Sequence, residues 1–117
     1  MTPSLVDFAT LPPAEETAPA ADRLLAGEPR QRVWNLFSDS TGQFHAGRWA
    51  STPGRWRVSY TENEFCHVLS GRMRIIDSAG RAREYTAGDS FVVPAGFAGT
   101  WEVLEDSVKL YAIFESR

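Results

Sequence analysis

The chain has 117 residues, 43% of them hydrophobic, with nine glycines, seven prolines and a formal net charge of −3. That length and balance fit one globular domain with one core, and they exclude wholesale disorder, collagen and coiled coil. The mild acidity gives no support to a nucleic acid or an anionic membrane as partner, and no apolar run approaches the ~20 residues of a membrane-spanning helix.

The first thirty residues differ from the rest. They are rich in Ala, Pro, Thr and Glu, and Pro12, Pro13 and Pro19 forbid a regular helix across them. A helical turn is expected at 20–25, ended by Gly27 and Pro29. Residues 1–30 are therefore expected to form an extended arm, anchored by a few apolar side chains such as Phe8 and Leu24. The start of the chain has neither a basic stretch nor an apolar centre, so a secretory signal is not expected and the default address is cytoplasmic.

From residue 31 onward short β patterns alternate with turn signals, and residues 31–117 are expected to be one barrel. In order, strands are predicted over 32–37, 43–51, 55–60, 64–69, 72–77, 81–85, 91–93, 100–104 and 108–114. The punctuation is Ser38-Asp39-Ser40-Thr41-Gly42, Thr52-Pro53-Gly54, Ser70-Gly71, Ser78-Ala79-Gly80, Ala87-Gly88-Asp89 and Pro94-Ala95-Gly96. No stretch after residue 31 keeps helical spacing. Nine short strands on one core predict a sandwich or small barrel.

Two segments carry a family likeness. Glu64 is followed by six residues and Gly71, and Gly88-Asp89 is followed at motif spacing by Pro94-Ala95-Gly96. These resemble the two signature motifs of the cupin superfamily. Together with Pro53-Gly54-Arg55-Trp56 and the Lys109-Leu110-Tyr111 ending, they are similar to the small group of ureidoglycine aminohydrolase and ethanolamine-utilisation cupins. The resemblance implies an all-β, single-domain jelly-roll barrel over roughly residues 31–115.

It also implies four metal-ligand positions, at 57, 59, 64 and 99. The chain has Arg57, Ser59, Glu64 and Gly99 there. A guanidinium cannot ligate and repels a cation, so a single carboxylate remains and no metal cofactor is expected. By strand alternation His67 should face away from Glu64, while Cys66 should face inward as a small buried hydrophobe. His45 is not expected to ligate alone.

Eleven of the twelve basic residues are arginine. The one lysine, Lys109, lies in the apolar run Val108-Lys109-Leu110-Tyr111-Ala112-Ile113-Phe114. Either Lys109, Tyr111 and Ile113 or Val108, Leu110 and Ala112 face the interior. The resemblance favours the first set and places Lys109 beside Glu64, since a buried carboxylate needs a cation. The inward set then comprises Arg57, Ser59, Glu64, Cys66, Trp101, Lys109 and Tyr111, with Trp49 and Tyr60 as further walls. Glu64 and Lys109 are the candidate catalytic pair. Arg57, Ser59, Tyr60, Cys66, Trp101, Tyr111 and Trp49 are candidate ligand contacts.

Two functions follow as alternatives. One is a metal-free binding module for a small anionic or zwitterionic metabolite. The other is an enzyme acting on a ureido or amino compound, with Glu64 as acid/base and Arg57 or Lys109 stabilising charge. No nucleophile–base set, phosphate loop or nucleotide fingerprint is present to choose between them. Apolar residues on the outward face of strand 64–69 and in 32–37 predict a homodimer.

Overall fold

The computed structural model describes residues 2–117. They form nine strands: β1 (Glu15–Thr17), β2 (Leu24–Gly27), β3 (Gln31–Ser38), β4 (Phe44–Ser51), β5 (Gly54–Ser59), β6 (Asn63–Asp77), β7 (Ala82–Thr86), β8 (Ser90–Val93) and β9 (Ala98–Phe114). Every pairing is antiparallel. None of the described residues is in an α-helix, so no helix is long and apolar enough to cross a membrane.

Two long strands organise the barrel. The N-terminal half of β6 and the C-terminal half of β9 lie together, flanked by β8 and by β4, β3 and β1 in turn. The other halves of β6 and β9 also pair, flanked by β7 and by β5 and β2. One sheet thus folds over itself into two layers that share β6 and β9. The bend lies at Gly71, whose φ is +90°, within a run of register shifts between Val68 and Met73. A Cβ there would overlap the Asp106 carbonyl and Ser107, so only glycine fits both the φ and the close approach.

This bend corrects the expected boundaries. Ser70-Gly71 is a bulge inside β6 and not a chain reversal, so the segments 64–69 and 72–77 are one strand. The segments 100–104 and 108–114 are likewise one strand, because β9 bends opposite β6 while their ladder continues across the corner. The arm lies along the barrel. Its backbone turns at Ala20, with the amides of Arg23 and Leu24 donating to the Ala20 carbonyl. Leu24–Gly27 is then a strand on β5, and Glu15–Thr17 is a strand on β3.

The core lies between the layers. Trp56, Cys66, Val68, Met73, Ile75, Val93, Trp101 and Val103 are buried together, with Trp49, Val58, Tyr60, Tyr85, Phe91 and Phe97 packed against them. Period-two alternation explains the set. Glu64, Cys66 and Val68 share the inner face of β6, and Lys109 and Tyr111 share that of β9. Of the two alternatives for the last strand, the lysine set is therefore the inner one.

Candidate functional site

The inner faces of β4, β6 and β9 meet around one cation. Lys109 Nζ donates to Glu64 Oε2 at 2.8 Å and to Cys66 Sγ at 3.4 Å. It stands 4.4 Å from the Trp101 ring centroid and 4.9 Å from that of Trp49, so two π faces share the ammonium with the carboxylate. Lys109 is 4% and Glu64 6% exposed, which makes this a buried pair in every sense that matters to its energy. Tyr60 Oη completes the carboxylate by donating to Glu64 Oε1 at 2.8 Å. Both carboxylate oxygens are thereby engaged from within the chain.

The electrostatics follow from burial. Desolvation disfavours the charged lysine, but the Glu64 carboxylate beside it outweighs that cost and holds Lys109 protonated above its ordinary value. Burial pushes the Cys66 thiol up to about 12 against the pull of Lys109, so the sulfur is a neutral acceptor at pH 7 and not a thiolate nucleophile. Burial, and then the adjacent Glu64 charge, also raise Tyr60 far above the ordinary phenol value. Trp101 is 2% exposed, and its indole N–H has no acceptor among the described residues.

The other candidates do not touch the Lys109 ammonium. Arg57 and Ser59 point outward, which corrects their expected inward place. Trp56 pairs with Trp101 across β5 and β9, both rings enter the core with Val58, and alternation then turns Arg57 and Ser59 to the surface. Tyr111 shares the inner face with Lys109, but its hydroxyl donates to Asn35 Oδ1 at 2.8 Å and does not reach Glu64. His67 Nδ1 lies 2.8 Å from Ser90 Oγ on the outer face. His45 Nδ1 lies 2.7 Å from Ser38 Oγ, and its Nε2 lies 3.1 Å from the Gly42 carbonyl.

The side chains around Glu64 do not suit a transition metal. The core-directed residues near it on β5 and just beyond are Val58 and Tyr60, neither an imidazole. Gly99, across from Val58, has no room for a side chain, since a Cβ there would overlap the Ile76 carbonyl. The ammonium of Lys109 takes the cation's electrostatic place against the carboxylate. Among the described residues no three His, Cys, Asp or Glu side chains come together.

Glu64 reaches the surface at a shallow depression of about 350 Å³, lined by Arg23, Arg57, Ser59, Tyr60 and Glu62. Arg23 and Glu62 have no local sequence signal. Arg23 arrives because its carbonyl accepts from the Arg57 amide at 2.9 Å, a contact made only when the arm lies on β5.

Comparison with known proteins gives the wider frame. No curated protein matches the chain. It resembles a protein of unknown function of the DUF861 family from Pseudomonas syringae, with a TM-score of 0.81 at 24% identity, over 92% of this chain and 46% of that one. The chain thus spans about half the length of that relative. It also resembles the EutQ protein of Clostridium difficile, with a TM-score of 0.68 at 18% identity over 86% and 74% of the two chains. A predicted oxalate decarboxylase from Thermotoga maritima matches with a TM-score of 0.71 at 18% identity over 97% and 100%. These likenesses show the all-β cupin fold. The family model for the EutQ-like cupin domain matches residues 38–111, well over half of the chain, and the chain therefore belongs to the EutQ-like cupin domain family.

Proposed function

We propose that the chain is a metal-free small-molecule-binding cupin whose ligand is a small zwitterion or anion. The observation that carries this is the substitution of cations. An internal ammonium neutralises Glu64 where a metal would be needed, and the depression above it sets Arg23 and Arg57 beside Glu62 and Glu64. Guanidinium groups suit a ligand carboxylate, and the Glu62 carboxylate at the rim suits a ligand ammonium or ureido N–H. Catalysis by Glu64 is not favoured, because both its oxygens already accept from Tyr60 and Lys109.

The test is calorimetric titration of the purified chain with α-amino acids and N-carbamoyl amino acids. At least one class should give a saturable signal that weakens about tenfold or more in Arg57→Ala. No saturable binding by any member of either class would overturn the proposal.

The same proposal includes a homodimer. Phe65 and Val92 sit side by side on the outer face of the first layer, and Phe37, Phe44, Leu69 and Phe114 are also exposed. The outer face of the second layer instead carries charges, in which Arg74 bridges Glu84 and Glu102. An apolar face opposite a charged one is what a one-sided association requires.

A further inference from the structure

The barrel has an open side. Strand β7 pairs only with β6, and so does β8, so each is an edge of its layer, with β2 and β1 at the opposite edges. Between β7 and β8 lies a slot of about 200 Å³. Its inner wall is aromatic. Tyr85 of β7 and Phe91 of β8 stack across the gap with centroids 3.9 Å apart and planes 16° from parallel, and Phe97 and Ile75 adjoin them. Its rim is cationic. Arg83 lies opposite Ile75 in the β6–β7 register, on the same core-facing side of β7 as Tyr85, and Arg81 follows at the strand's start.

Neither guanidinium has an ion pair or a side-chain hydrogen bond among the described residues. Asp77 also lines the slot; its Oδ1 accepts from the amides of Ala79 and Arg81 at 2.9 Å and shapes the turn, and its single negative charge leaves the two guanidinium groups in excess by one. Two unpaired arginines over an aromatic wall form a recognition set with a definite complement. The wall takes a flat apolar body, and the guanidinium fork takes a carboxylate. The volume is below the ~300–1,000 Å³ of sites for drug-sized molecules, so the body is small.

We propose that this slot is a second binding site, separate from the depression at Glu64, for a small aromatic carboxylate. The ligand ring lies against Tyr85, Phe91 and Phe97, and its carboxylate meets Arg83 with Arg81 in support. The site is independent of the zwitterion-binding proposal, because it shares no residue with that depression.

Benzoate and its neutral analogue benzamide are the probes, followed by amide chemical shifts of the full ¹⁵N-labelled chain. Benzoate should move amides in 81–85 and 91–97 along saturable curves. Benzamide should bind about tenfold or more weakly, and Arg83→Met should weaken benzoate by a similar factor. Arg83 is exposed at a strand edge, so this variant should keep the wild-type spectrum elsewhere. Three outcomes would overturn the proposal: equal binding of benzoate and benzamide, benzoate affinity unchanged in Arg83→Met, or shifts confined to 57–64. The second would leave the arginines as inward-facing charges that guard an open sheet edge.

Discussion

Lys109 is the side chain on which the interior turns. A buried ammonium survives only beside its carboxylate, and the carboxylate only beside its ammonium. Lys109→Met should therefore destabilise the fold by about 3–5 kcal/mol, since it leaves Glu64 charged and unpaired. Adding Glu64→Gln should recover part of that loss, and urea denaturation of the four proteins in the cycle would read the coupling directly. Strict additivity would count against the pair. Alkali offers a second test. Cys66 and Tyr111 are both held up to about 12, against ordinary values of 9.0 and 10.0, and Tyr60 is raised as well. Above about pH 9 the unfolded chain releases these protons while the folded chain keeps them, so the folded state binds more protons and its stability falls as pH rises. Lys109, also raised, stabilises fully below its ordinary 10.5 and loses that contribution as pH climbs through its folded value. The urea midpoint should decline between about pH 9 and about pH 11, and Tyr60→Phe should flatten part of the decline. A midpoint that stays level over that range would contradict the assignment. Elemental analysis of the purified chain should return no stoichiometric transition metal, and Glu64→Ala should not change that result.

The paired strands β6 and β9 act as the hinge of the fold. Both bend at the same level, so one ladder supplies the middle of both layers and places Glu64, Cys66 and Lys109 just beyond the corner. Gly71 makes the bend possible through its positive φ and its lack of a Cβ. Gly71→Ala should cost about 2 kcal/mol or more, combining left-handed strain with the overlap on Asp106 and Ser107. A urea midpoint equal to wild type would show that the corner does not depend on glycine. The turn signals announced most of the strand ends, but here they misled. Ser70-Gly71 looks like any other turn in the sequence, and only the continuing ladder with β9 distinguishes a bulge from a reversal.

Across the molecule the two outer faces differ in kind. One carries the Phe65–Val92 patch and the other the Arg74 ion-pair cluster. Light scattering should give twice the 13.0 kDa chain mass, and Phe65→Arg should return the species to that single mass, because a charge inserted in a self-complementary face meets its own copy. A wild-type monomer at tens of micromolar, or a dimer unaffected by Phe65→Arg, would remove this interface.

What could be read from residues alone was whatever depends on local pattern. Alternation with turn residues marked an all-β chain, Glu64-x₆-Gly71 and the Gly88–Gly96 segment carried the family resemblance, and a solitary lysine in an apolar strand pointed to a buried counter-charge. What depends on register between distant strands could not be read this way. A slip of one residue reverses every side chain of a strand, and the pairing of Trp56 with Trp101 turned Arg57 and Ser59 outward. The same kind of long-range contact carried Arg23 to Arg57 and drew the Tyr111 hydroxyl to Asn35. Strand composition encodes which residues alternate, but only the assembled sheet decides which of the two faces becomes the inside.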